Sequence, residues 1–185
     1  MPLGHNTALL SVHDAKVRKL LTDPAGGTAT YGPWVDIPDM TSVGLEGDTD
    51  VKTRRGDGTI RDRRQVLTGM TITAENTILP ADVLSLLEGG TLVDAGVTPN
   101  QSWTYTYAGS TKPNYVEFRA KCDDTDYPSG DFHLVVHKCQ LNSKVPLGFT
   151  DEDFQTYTYE LGSVARNADD KYYTLIANET KLAIV

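Results

Sequence analysis

His133, His137 and Cys139 carry the side chains of a metal site, and their even spacing would set them on one face of a β-strand. Distance argues against a shared ion. At about 3.3 Å per residue, positions 133 and 137 lie about 13 Å apart, whereas each zinc ligand must come within about 2.1 Å of the metal. Cys122 does not complete a set. If residues 115–122 and 132–139 pair as an antiparallel hairpin, Cys122 lies near the turn and Cys139 at the far end, which also disfavours a disulfide. Asp123, Asp124, Asp126 and Asp131 beside Gly130 resemble a calcium loop. Counting from Asp124, however, puts Pro128 at the fifth position and Val135 at the twelfth, where a bidentate Glu is required. An acidic turn in water is the better reading. Arg55-Gly56-Asp57 spells an adhesion tripeptide, but so short a word arises easily by chance in a glycine-containing tip. Asn178-Glu179-Thr180 fits a glycosylation acceptor, which matters only on a secretory route.

Catalytic patterns are missing from the sequence. It holds no Gly-x-Ser-x-Gly elbow, no Gly-x-x-x-x-Gly-Lys phosphate loop and no His-Glu-x-x-His pair. Asp151, Glu152 and Asp153 are adjacent, and neighbours on a strand alternate faces rather than converge. His5 and His13 have no evident base or nucleophile beside them. The chain reads as a non-enzyme with no cofactor and no metal.

The elements that carry these residues follow from composition and patterning. With 185 residues, 39% of them hydrophobic, there is material for a single domain with a real core. The 25 acidic and 17 basic residues give a net charge of -8, which opposes binding to phosphate backbones by default. Two cysteines are too few for a disulfide scaffold. No stretch approaches the roughly 20 apolar residues of a membrane span, and no signal peptide opens the chain, so a soluble, cytoplasmically made protein is expected.

Thr, Val and Tyr recur in short runs broken by Gly, Pro, Asn and Asp, the pattern of a mainly β chain, a sandwich or barrel. Residues 1–12 read as an N-terminal arm anchored near 9–12. Residues 14–22 and 28–37 form a hairpin about the turn Asp23-Pro24-Ala25-Gly26-Gly27. Two strands alternate apolar and polar: Thr41, Val43 and Leu45 against Ser42, Gly44, Glu46 and Asp48, then Val66, Met70 and Ile72 against Thr71, Thr73 and Glu75. Between them, residues 47–64 have Val51 and Ile60 as the only sizeable aliphatics, and read as a long loop carrying Lys52, Arg54, Arg55, Arg61, Arg63 and Arg64. Loops beyond about 12–15 residues in a compact domain are commonly functional. Residues 80–88 are the one clear helix, opened by Pro80 and stopped by Gly89-Gly90. Further strands are expected at 103–107, 115–122, 132–141, 154–161, 172–177 and 181–185.

The run Asp14-Ala-Lys-Val-Arg-Lys-Leu-Leu-Thr-Asp-Pro-Ala-Gly-Gly-Thr-Ala-Thr-Tyr-Gly32 resembles the opening hairpin of the major tail tube proteins of long, non-contractile-tailed bacteriophages. Ile37-Pro-Asp-Met-Thr-Ser-Val-Gly-Leu45 looks like that family's next strand, and Leu79-Pro-Ala-Asp-Val-Leu-Ser-Leu-Leu-Glu-Gly-Gly90 like its single helix. The resemblance implies a tail-tube-like β-sandwich or barrel with one flanking helix, whose hexameric rings stack into the virion tail tube after assembly in the host cytoplasm. It implies as partners the chain itself and tape measure, tail terminator and distal tail proteins, with no membrane and no catalysis. DNA would pass through the lumen without specific binding. If each of six subunits gives four strands to an inner barrel, as in the family, about 24 strands at about 4.8 Å and a tilt of about 40° give a backbone diameter near about 48 Å, wide enough for a duplex. On this reading Glu46, Asp48, Thr71, Thr73 and Glu75 are expected to face the lumen, where small and acidic groups repel phosphate. The six cations of residues 47–64 are expected to contact the adjacent ring. Two alternatives stand beside it: the ring protein of a contractile injection system, and a carbohydrate-binding sandwich suggested by Trp34, Trp103, Tyr105, Tyr107 and Tyr157.

Overall fold

Asp23-Pro24-Ala25-Gly26-Gly27 makes the expected turn, with Gly26 at φ 67 and the Gly27 N–H donating to the Pro24 carbonyl at 3.1 Å. In the computed structural model, which describes residues 9–57, 59–124, 129–148 and 155–184, this turn joins β1 (Leu9–Thr22) to β2 (Thr30–Asp36). There follow β3 (Met40–Gly56), β4 (Thr59–Asn76), α1 (Ala81–Glu88), β5 (Thr91–Ala95), β6 (Ser102–Thr106), β7 (Val116–Asp124), β8 (Asp131–Leu141), β9 (Tyr157–Ser163) and β10 (Tyr173–Asn178). The protein is mainly β with one short helix, as expected. All the strand pairs are antiparallel, and the main sheet runs β2-β1-β7-β8-β9-β4-β3, with β10 also on β8. β5 and β6 form a separate hairpin.

One strand folds this sheet over on itself. Residues 131–136 of β8 pair with β10, while Cys139, Gln140 and Leu141 pair with β9 on the same edge. The opposite edge pairs with β7, where Phe118 faces Val136 but Val116 faces Cys139, so β8 holds one extra residue at 137–138. Such a bulge bends and twists a strand. It turns the β9-β4-β3 leaflet back across the layer formed by β2, β1, β7, β8 and β10. Between the two lie Val17, Phe118, Val136, Ile72, Tyr159 and Leu161, each at most 1% exposed. α1 closes one end with Val83, Leu84 and Leu87. Asp82 sits in its first turn, and Gly89 ends it at φ 78 in the left-handed region.

The bulge corrects one sequence expectation. His133 and His137 lie on the outer side of β8, but the extra residue reverses the alternation and turns Cys139 into the core. A second correction is larger. Residues 47–64 are not a loop: β3 and β4 run on as 17- and 18-residue strands, paired from Met40 with Asn76 to Gly56 with Thr59. Ladder hydrogen bonds propagate from the packed bases, and a strand needs no apolar face to continue. Asp57 sits at φ 51 and is followed in the sequence by Gly, a dipeptide favoured in tight hairpin turns. Of the expected arm, residues 1–8 lie outside the described set, while Leu9 and Val12 already pair with β7. The strand expected at 181–185 is absent over 181–184, and β5 was not foreseen.

Asp131 explains how residues 179–184 are held. It is fully buried, accepts hydrogen bonds from Asn178 Nδ2 (2.8 Å) and the Leu182 N–H (2.7 Å), and has Lys121 Nζ at 3.1 Å. Burial alone would raise its carboxyl, but these partners outweigh burial and hold it down at about 2. A depressed carboxyl stabilises the fold above its unfolded value of about 3.9, and that contribution is lost as pH falls toward about 2. Asp131→Asn is therefore expected to lower the urea midpoint at pH 7, with the gap to wild type closing between about pH 4 and pH 2. A gap of equal size at both ends of that range would exclude this role.

Candidate functional site

The leaflet β3-β4-β9, joined to the end of β8, has two unlike faces because its registers align like with like. Ser42, Gly44, Glu46 and Asp48 stand opposite Glu75, Thr73, Thr71 and Gly69. The next register adds Thr158, Glu160 and Gly162 from β9, and then Gln140 from β8. This gives a sheet face with four carboxylates, at positions 46, 48, 75 and 160, and with no Lys or Arg among these twelve residues. Ser42 Oγ donates to Glu75 Oε2 at 2.9 Å. Behind it, Val43, Leu45, Ile72, Ala74, Tyr159 and Leu161 fill the core. All five residues expected on a lumen-facing surface are thus brought to one side. Thr158, Glu160 and Gln140 were missed, although their period-two polarity was legible in the sequence.

Beyond Asp48 the same pair of strands leaves the body. Residues 49–55 and 59–68 are all exposed, and at about 3.4 Å per residue this arm projects roughly 25 Å. Thr68 is the extra residue of a bulge here, its hydroxyl donating to the Asp48 carbonyl at 3.0 Å. The bulge shifts the alternation of β4, so Val66, expected on the apolar side with Met70 and Ile72, instead stands opposite Asp50 on the acidic side. Lys52, Arg54 and Arg64 continue the acidic side, whereas Arg55 and Arg63 share the opposite side with Leu67, Val51 and Ile60. The cations expected in a loop therefore coat both faces of a two-stranded ribbon. Lys52 stands directly opposite Arg64, a like-charge pair that disfavours the isolated arm. Asp50 lies 3.8 Å from Lys52 and Asp57 lies 3.5 Å from Arg61, so neutralisation is partial. Residues 49–67 carry six cations and three carboxylates, a charge of +3, which leaves -11 for the rest of the chain.

The other residues singled out by the sequence are engaged separately. His137 Nε2 lies 2.7 Å from the Thr174 hydroxyl, and His133 Nε2 lies 3.2 Å from Asp131. Burial, with Arg166 nearby, pushes the His137 imidazole below its ordinary value. Trp34 lies under two guanidinium groups, Arg18 at 4.2 Å and Arg119 at 5.1 Å from the ring centre. Arg18 in turn donates to the buried Glu117 at 2.9 Å. Tyr107 is covered by Lys144, and the Tyr105 hydroxyl donates to Glu88 at 2.6 Å. Trp103, Tyr105 and Tyr157 meet Leu79, Leu84 and Leu147 in a groove of about 400 Å³. Its lining is nearly all apolar, which suits aliphatic or aromatic groups better than sugar hydroxyls. Among the described residues no helix is long and apolar enough to cross a membrane. The chain matches no family model and no curated protein.

Proposed function

We propose that this chain is a structural tube protein of a long, non-contractile phage tail, assembling as stacked hexameric rings around a genome conduit. The observation that carries the reading is the two-faced leaflet: apolar toward the core, acidic and free of cations over twelve positions on the other side, with a basic ribbon running out from it. Six copies at -8 each bring -48 to a ring, so a wall built from these faces repels a passing duplex. The ribbon, at +3 against a body of -11, is attracted to the body of another copy. A contact between unlike surfaces of one chain is heterologous, and heterologous contacts propagate into rings or stacks. The protein works without catalysis, in the virion tail, with tape measure, terminator and distal tail proteins as partners.

Negative-stain electron microscopy of the concentrated wild-type protein tests this directly. Tubes with a bore of a few nanometres are expected, and a strict monomer at every concentration would overturn the reading. Reversing Glu46 and Asp48 to Lys should leave tubes intact but slow genome ejection from reconstituted virions. Unchanged ejection kinetics would remove these residues from the lumen.

A further inference from the structure

The two layers of the sandwich do not close along their whole length. Val43 and Leu45 of β3 face Cys122, Phe132 and Leu134 across a groove of about 240 Å³, and Leu175 of β10 forms its outer lip, 51% exposed. β10 overhangs here because β9, β4 and β3 pair beyond the bulge in β8 and leave its inner side uncovered. Among the described residues β3 and β10 are both sheet edges at this mouth, with no strand paired to their outer N–H and C=O groups. The ribbon presents the complementary features. Leu67, 38% exposed, leans over Gly47, where an added Cβ would come within 3.2 Å of its Cδ1. It therefore shares one side of the ribbon with Val51 and Ile60, the side that also carries Arg55 and Arg63.

We infer that the groove between β3 and β10 is the seat for the ribbon of a second copy of this chain, with Leu67 and Val51 entering beside Cys122 and Leu175. This rests on the self-assembly reading and adds the receptor surface to it. The opposite charges of ribbon and body select another copy, and the aliphatic side chains of Leu67 and Val51 fix where it lands. The free edge of β3 or β10 offers backbone partners to an incoming strand, as in strand addition. A two-stranded ribbon is at best marginally stable alone in water, so seating it also completes its own burial.

Leu67→Cys tests the contact through the native Cys122. Mild oxidation at alkaline pH of the assembled variant should give a ladder of chain-linked species on non-reducing gels, abolished by adding Cys122→Ser. Leu175→Asp, on an exposed edge strand, should keep the wild-type circular dichroism yet fail to assemble. Assembly of both variants with no Cys122-dependent link between chains, or a link formed only within one chain, would overturn the seat while leaving the tube reading standing. A wild-type chain that never associates would overturn both.

Discussion

Excising residues 50–66 and joining Thr49 to Leu67 through Asn-Gly is expected to yield a folded monomer that does not form tubes. Residues 50–55, 57 and 59–66 are exposed and lie outside the core cluster, so circular dichroism and the melting temperature should match wild type. What leaves is the basic ribbon: all six of its cations and three carboxylates, taking the chain from -8 to -11. Each body then meets only bodies of the same sign, and the heterologous contact has lost one of its two surfaces. Sedimentation should report a monomer up to the highest concentration reached. Tubes of normal length by electron microscopy would show that assembly does not run through the ribbon. The wild-type assembly itself should weaken with salt, because exposed charges are screened over about 8 Å at physiological ionic strength.

Asp23→Ala carries the largest expected loss of stability. Asp23 follows β1 in the first turn and accepts hydrogen bonds from Lys138 Nζ (2.7 Å), the Asn167 N–H (2.9 Å) and the Ala168 N–H (2.9 Å). It thereby ties the β1-β2 turn to the bulge of β8 and to the β9-β10 connection. Burial tends to raise the Asp23 carboxyl, but Lys138 and the two N–H groups prevail and hold it below its ordinary range. Truncation leaves the Lys138 ammonium, only 11% exposed, without its carboxylate. Breaking a buried pair in this way costs about 3 kcal/mol, which at about 2–4 °C per kcal/mol for a chain of this size lowers the melting temperature by roughly 6–12 °C. Asp23→Leu with Lys138→Met should recover part of that loss, since no charge is then stranded. A drop of under about 2 °C for Asp23→Ala would mean that the turn is not a tie. The sign with pH is fixed: a depressed carboxyl stabilises at neutral pH, so the difference between wild type and Asp23→Ala should shrink on acidification through the carboxylate range.

The sequence was most legible where one residue type has one physical meaning. Pro80, Asp82 and Gly89-Gly90 bracket a helix that the structure places at Ala81–Glu88. The alternation of Val43 and Leu45 with Gly44 and Glu46, and of Ile72 and Ala74 with Thr71 and Thr73, set the two faces of β3 and β4 before any pairing was known. The ribbon was misread because its residues are charged, and charge describes solvation rather than backbone conformation. Asp57-Gly58 was its one local signal, midway along the segment. The bulge at 137–138 has no mark in the sequence, yet it decides that Cys139 enters the core between the layers while His137, also buried, lies on the other side of β8.

By itself, then, the sequence determined the mainly β class, the helix, the acidic balance and which side of β3 and β4 meets water, because these depend on local periodicity and on composition. Only the tertiary structure decided that Glu160 and Gln140 join Glu46, Asp48 and Glu75 on one face, that the six cations ride on a projecting ribbon, and that a groove stays open between β3 and β10. Those outcomes depend on register and on a single-residue bulge. Shifting a strand by one residue exchanges its faces at no change in composition, so such features are settled by packing between strands far apart in the chain.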